Sequence, residues 1–361
     1  MPEGHTIHRL ARVFETRFRG RVVAASSPQG RFAAGAAVLD GLRLASAEAR
    51  GKHLFLRFED SERPEAAPPV WLRVHLGLYG GWRFAGPGLA GEGGRKPAAA
   101  GTTATAGAAY DASAGRADAS QADPGDPDSV ADDADGADPG EDSGGVDLAS
   151  ARLVAASGTG EGERIGQDGA DGAWPPEPRG LVRLRLLAGD RIADLSGPAA
   201  CVIETPDGRV AAMARLGEDP LRDDADADAA GRRVRASRSA VGLLLMRQDL
   251  VAGIGNIYRA EVLFRAGIDP HRPGREVTEA EWRALWADLR ALMQDGVSRG
   301  RIVTTRPEHR ASGRRGGAVK RGDASYVAHR AGQPCRVCAT PVRAEAMGGR
   351  TLYWCEACQP A

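Results

Sequence analysis

The stretch Val251-Ala252-Gly253-Ile254-Gly255-Asn256-Ile257-Tyr258-Arg259-Ala260-Glu261-Val262-Leu263-Phe264 decides how the second half of the chain folds. Gly253 and Gly255 free the backbone for a tight turn, so residues 239–269 read as helix, tight turn, helix. Asn256 closes the turn and is a capping residue for a helix running from Ile257 to Arg265. The amides at such a helix start form an anion site. Downstream, Thr278 with Glu281 makes a capping box, and Trp282, Leu285, Trp286, Leu289, Leu292 and Met293 trace one apolar helical stripe. A helical domain over residues 221–300 follows from these patterns.

Upstream the periodicity changes from helix to strand. After an amphipathic helix over Thr6 to Phe18, short strand-like runs occur at residues 21–25, 42–47, 53–58, 71–74 and 82–84, and again at 180–187, 191–195 and 202–204. Many short strands bury their apolar sides only against a facing sheet, which predicts a β-sandwich. Asp207-Gly208 reads as a turn, and the segment from Leu216 to Leu221 closes this domain, which spans residues 1–220. The fold class is therefore α+β: an N-terminal β-sandwich led by an α-helix, then a helical domain.

The formal net charge is zero, but its distribution is uneven. Residues 111–150 hold twelve Asp or Glu against the single Arg116, a local balance of −11, so the remaining chain carries +11. Residues 86 to about 176 are rich in Gly, Ala, Asp and Pro, and such a composition cannot offset the entropy of ordering. An unstructured acidic insert within the β domain is expected, and the basic remainder suits a polyanionic partner. No run of about 18 apolar residues and no signal-peptide pattern occurs, so a cytoplasmic protein without a membrane partner is expected.

From Arg299 to Arg330 the chain is basic and glycine-containing, forming with the last segment a region over residues 301–361. Of the five cysteines, Cys201 stands alone, and Cys335-Cys338 and Cys355-Cys358 form two CxxC pairs separated by 16 residues. Two knuckles joined by a hairpin supply four thiolates for one tetrahedral Zn2+. Gly348-Gly349-Arg350 is the hairpin turn and would present Arg350 at its tip.

Chemistry concentrates at the other end of the chain. Pro2 is small enough to let Met1 be trimmed, which exposes a secondary α-amine. Ordinary α-amines titrate at about 7.7 to 8.0, so a neutral, nucleophilic fraction exists near pH 7. Glu3 beside it is placed to shuttle protons. Lys52 sits at a turn entering a strand, and Leu78 and Tyr79 occupy a glycine-flanked loop tip suited to insertion into a base stack.

Taken together, MPEGHTIHR at the N-terminus, GKH at 51–53, HLGLYG at 75–80, VAGIGNIYRAEVLF at 251–264 and the CxxC pairs flanking GGRTLYWC resemble the formamidopyrimidine-DNA glycosylase and endonuclease VIII family. The resemblance covers residues 1–85 and 180–358, and PEGHT with LGLYG lies closer to endonuclease VIII. It implies a β-sandwich and a helix-two-turn-helix domain with a zinc finger, forming a cleft for damaged duplex DNA. Pro2 then corresponds to the imine-forming nucleophile, Glu3 to its acid/base partner and Lys52 to the strand-borne lysine. Asn256 and Arg350 match the phosphate-binding asparagine and finger-tip arginine, and Leu78 and Tyr79 the residues that fill the gap left by an everted base. Oxidised pyrimidines, β,δ-elimination and a monomer are the implied substrate class, chemistry and state. Two departures stand out: His5 and Thr6, where many members carry other residues, including an acidic one in the formamidopyrimidine type, and Arg247 where an acid often precedes Gln248. A catalytically silent protein that holds damaged, gapped or branched DNA is the alternative, and a zinc-finger transcription factor leaves the N-terminal half unexplained.

Overall fold

The computed structural model describes residues 2–62, 67–87, 163–165, 174–310 and 319–361. Of the insert expected over residues 86 to about 176, residues 86–87, 163–165 and 174–176 are described, and 163–165 form a strand; the rest lies outside the described residues. In chain order, helix α1 (Gly4–Arg17) precedes strand β1 (Ala24–Ser26), helix α2 (Ala33–Leu39), and strands β2 (Arg43–Arg50), β3 (His53–Glu59), β4 (Val70–His75), β5 (Gly81–Ala85) and β6 (Glu163–Ile165). Strands β7 (Val182–Ala188), β8 (Arg191–Ser196) and β9 (Ala200–Glu204) complete two sheets, ordered β1-β7-β8-β5-β6 and β2-β3-β4-β9. All their pairings are antiparallel except β5 with β6.

The alternating strand pattern has the expected consequence. Leu54, Leu56 and Phe58 of β3 and Leu72 and Val74 of β4 share one core with Trp82, Phe84, Leu184, Leu186 and Leu195 of the other sheet. Helix α1 adds Ile7, Leu10 and Phe14 to that core, with the Phe14 ring edge-on to Trp82 at 4.9 Å. Register fixes what lies at one end: His53 pairs with His75, and His75 with Ala200. The β2–β3 turn that carries Lys52 and the loop after β4 that carries Leu78 and Tyr79 therefore leave the same end of the sheet.

One turn expected from the sequence is a helix. Asp207-Gly208 lies in α3 (Pro206–Ala214), because Thr205 accepts from the Gly208 amide at 3.1 Å and Pro206 occupies the first helical position. Thr-Pro-Asp-Gly suits a turn and a helix start equally, and Arg209 stacked 4.3 Å over Trp71 holds the helix on the sheet.

The helical part comprises α4 (Ala227–Arg235), α5 (Val241–Leu244), α6 (Asn256–Ala266) and α7 (Glu279–Arg299). The helix expected before the glycine turn is only α5, one turn long, while the expected capping box of α7 is formed as read. Strands β10 (Arg343–Met347) and β11 (Arg350–Trp354) make the C-terminal hairpin. No helix among the described residues is long and apolar enough to cross a membrane.

A buried carboxylate joins the connector to α6. Glu261, fully buried, accepts from the amides of Tyr326, Val327 and Ala328 at 2.7–2.8 Å and from the Thr304 hydroxyl. A carboxamide would turn an NH2 group toward some of these donors. Glu261→Gln is therefore expected to lower stability by about 2–3 kcal/mol in urea unfolding, and a change within about 0.5 kcal/mol, ordinary for a surface site, would contradict this account.

Candidate active site and nucleic-acid interface

Helix α6 begins without a capping side chain of its own. Its N-cap is Gly255, and the cap is supplied from the far end of the sequence by Glu3. The Glu3 carboxylate, wholly buried, accepts from the amides of Gly255 at 2.9 Å, Ile257 at 2.8 Å and Tyr258 at 3.3 Å. Asn256 therefore does not cap the helix, contrary to its sequence reading. It is the first helical residue, and the anion site expected at this helix start is filled by the chain's own carboxylate. A Cβ on Gly255 would lie 2.5 Å from the Glu3 carboxyl carbon, so space, not backbone conformation, requires glycine there. Pro2 is buried next to it.

Three backbone segments meet behind this contact. The Gly4 amide donates to the Gly253 carbonyl at 2.8 Å, and Gly253, at φ +93°, lies between Gly4 and Gly51. Added Cβ atoms on Gly4 and Gly51 would each come within 2.9 Å of the glycine turn. Asp219, missed in the sequence, locks the arrangement: it accepts from the Gly51 amide at 2.7 Å, the Leu221 amide at 2.9 Å and lies 2.8 Å from His8 Nε2. Lys52, one residue beyond Gly51, thereby follows directly on the backbone that packs against the glycine turn. Gln248 braces that turn, donating to the Met246 and Ile254 carbonyls and accepting from the Gly253 amide. Arg247 does not disturb it, since its guanidinium pairs with Asp249 at the surface.

The zinc-finger hairpin reaches the same place. Asn256 donates through Nδ2 to the Thr351 carbonyl at 2.8 Å, and its Oδ1 accepts from Arg259. Arg259 is fully buried and donates also to the carbonyls of Met347 and Thr351, both at 3.4 Å. Burial lowers its pKa to about 10, aided by the Arg350 charge and opposed by Glu3. Pro2, Glu3, Asn256 and Arg350 are thus gathered at one helix start. The sequence offers one sign of Arg259: it stands three residues after Asn256, on the same helix face.

Leu78 and Tyr79 stand apart from this cluster, on the loop between β4 and β5, with 51% and 90% of their surfaces exposed. Gly77, at φ +63°, makes the bend that keeps them out of the core. The four cysteines form a second centre that braces the hairpin. Their sulfurs lie within 4.8 Å of one another, with Cys335 3.8 Å from Cys358 and Cys338 3.4 Å from Cys355. Tetrahedral Zn–S bonds of about 2.3 Å separate sulfurs by roughly 3.8 Å, so the donor set fits one structural zinc. Cys201 is elsewhere, in β9, and burial pushes its thiol up to about 12.

Two histidines near the site are held neutral. His5, fully buried edge-on to Tyr258 at 5.4 Å, titrates at about 3, chiefly through burial and then through neighbouring positive charge including Arg9. His53, packed 4.9 Å from His75, also titrates at about 3, through burial and then the charges of His75, Arg73 and Lys52. Unfolded histidine takes up its proton near pH 6.5, so between about pH 6.5 and 3 the unfolded chain binds more protons than the folded one. Stability is expected to fall as pH drops through that window, each histidine contributing about 1.4 kcal/mol per pH unit; denaturation at pH 7, 6 and 5 measures it, and His5→Leu should flatten the profile. The purified protein should also hold one zinc per chain, and Cys355→Ser should abolish that zinc on elemental analysis and loosen the hairpin to proteolysis.

The chain matches three family profiles: the formamidopyrimidine-DNA glycosylase N-terminal domain over residues 1–114, the formamidopyrimidine-DNA glycosylase H2TH domain over residues 216–307, and the zinc finger found in FPG and IleRS over residues 332–361. It is 37% identical to "Endonuclease 8 1" of Mycobacterium tuberculosis, with 99% of this chain and all of the relative covered. A formamidopyrimidine-DNA glycosylase of Bordetella petrii is 40% identical over 41% of this chain and 52% of its own. Among solved structures, Lactococcus lactis Fpg (MutM) in complex with DNA containing N7-benzyl-Fapy-dG superposes with a TM-score of 0.63 at 16% identity, covering both chains fully. The MutM (Fpg) protein of Thermus thermophilus gives 0.60 at 22%, covering 99% of this chain and 98% of its own. These two likenesses carry the fold, and the full-length 37% identity carries descent: the chain belongs to the formamidopyrimidine-DNA glycosylase and endonuclease VIII family.

Proposed function

We propose that the protein is a bifunctional DNA glycosylase and abasic-site lyase of base excision repair, acting on oxidised bases, with pyrimidines preferred. The observation that carries this reading is the seat of Glu3: a carboxylate held by three helix amides, next to Pro2, whose nitrogen becomes a secondary amine once Met1 is trimmed. Such a carboxylate has a fixed position beside the nucleophile, which general acid/base catalysis needs.

The chemistry follows from the amine. A base within a duplex is out of reach, so the damaged nucleotide is turned out of the stack, at a cost of a few kcal/mol that damage lowers. The Pro2 nitrogen forms a bond to the sugar anomeric carbon as the bond to the base breaks, and the departing base takes its proton from water. The Glu3 carboxylate takes the proton that the nitrogen sheds and returns it to the sugar ring oxygen as the ring opens to an iminium. A secondary amine gives a necessarily cationic adduct, which acidifies the neighbouring sugar proton. Loss of that proton expels the 3′ phosphate, and a second elimination expels the 5′ phosphate. Lys52, Asn256 and Arg350 hold the flanking phosphates, while Leu78 and Tyr79 fill the space the base vacated. The partner is damaged duplex DNA bound by a monomer. The catalytic sandwich would span residues 1–220, the helical clamp 221–300, and the connector with its zinc finger 301–361.

Borohydride trapping on duplexes bearing an abasic site or thymine glycol tests the reading. A covalent adduct that disappears in Pro2→Gly is expected on both, and its absence from zinc-loaded protein lacking Met1 would leave a DNA-binding protein without catalysis. Glu3→Gln should slow single-turnover base release by about a hundredfold or more. It should also destabilise the fold by about 1 kcal/mol, because the same carboxylate caps α6. Unchanged base release would remove Glu3 from the mechanism.

A further inference from the structure

Arg259 is a buried cation whose acceptors belong to two different parts of the site. Its guanidinium donates to Asn256 Oδ1 on its own helix and to the Met347 and Thr351 carbonyls, which flank the Gly348-Gly349-Arg350 turn of the hairpin. A guanidinium can only donate, so the carboxamide must turn its oxygen toward Arg259 and its nitrogen toward the Thr351 carbonyl. One N–H of that nitrogen is bonded to Thr351, leaving the other to donate elsewhere. The carbonyls that Arg259 grips also fix where Arg350, paired with Met347 across the hairpin, begins its strand. With no solvent exposure, Arg259 itself reaches no phosphate.

We propose that Arg259 is a positioning residue that fuses Asn256 and Arg350 into one phosphate-binding unit, setting the amide's orientation and the hairpin tip together. This rests on the reading of Asn256 and Arg350 as phosphate contacts. Its consequence is coupling: either contact removed spoils the site for the other, and an arginine that touches no DNA controls both. Lysine cannot substitute, because one ammonium on a flexible stem does not span three acceptors set by a planar fork.

The test is binding of the full-length, zinc-loaded protein to a duplex carrying a non-cleavable tetrahydrofuran abasic analogue, measured across a salt series. Asn256→Ala, Arg350→Ala and the double variant are compared in wild-type and Arg259→Met backgrounds. In the wild-type background the double variant should lose at least about fivefold less affinity than the product of the single losses, as expected of residues in one network. In the Arg259→Met background the losses should multiply to within about twofold. Arg259→Met alone should make the dependence of log K on log salt shallower by about one, as loss of a phosphate contact does. Arg259→Lys should behave like Arg259→Met, and it decides the matter if the methionine variant fails to fold or to hold zinc. Rescue by lysine would reduce the role to charge and overturn the proposal, as would wild-type salt dependence in either variant or multiplicative losses in the wild-type background. Failure of the unmodified protein to prefer the abasic duplex would instead overturn the underlying reading of the site.

Discussion

Everything at the candidate site depends on one carboxylate, that of Glu3, lying on the open end of α6. The first amides of a helix lack intrahelical partners, and a buried helix end must find acceptors elsewhere. Here they come from a residue 252 positions away in sequence from Gly255. The same contact satisfies the helix, anchors the N-terminal strand-and-helix part to the helical part, and sets a carboxylate beside Pro2, the proposed nucleophile. In the proposed mechanism, structural and chemical demands therefore fall on the same atoms.

Close approach of backbones makes this contact possible. Gly4, Gly51, Gly253 and Gly255 remove side chains from the places where the N-terminus, the β2–β3 turn and the glycine turn touch. Asp219 and Gln248 then satisfy amides that the crowding would otherwise leave buried without partners, and a lost partner of that kind costs about 1–3 kcal/mol. The result is a rigid junction onto which Lys52 is placed by its neighbour and not by contacts of its own side chain alone.

The hairpin is attached by a different physics. Arg259 and Glu261, two residues apart in α6, are both fully buried ions that bond mainly to backbone groups of the C-terminal region. The four-cysteine zinc site closes the finger internally, while Arg259 docks its hairpin and Glu261 docks the connector that precedes it. An ion buried with most of its hydrogen-bonding groups engaged tolerates little displacement, since an unpaired buried charge is costly. The finger is thereby held in one place relative to Glu3.

Much of this was legible in the sequence, because periodicity, glycine spacing and paired cysteines are local properties. The strand runs, the sandwich, the α7 capping box and the four-cysteine cluster follow from them. Residues 205–208 show where locality fails: Thr-Pro-Asp-Gly satisfies a turn and a helix start alike, and packing of Arg209 over Trp71 accompanies the helix. Asn256 fails for the opposite reason. Its sequence position suits a cap, but a carboxylate from the other end of the chain takes that role and frees the amide to meet Arg259 and the hairpin. Which residues occur and what chemistry they can perform was set by the sequence alone; which of them share a site was decided by tertiary structure, since hydrogen bonds between residues 3 and 257 or 256 and 351 leave no periodic trace along the chain.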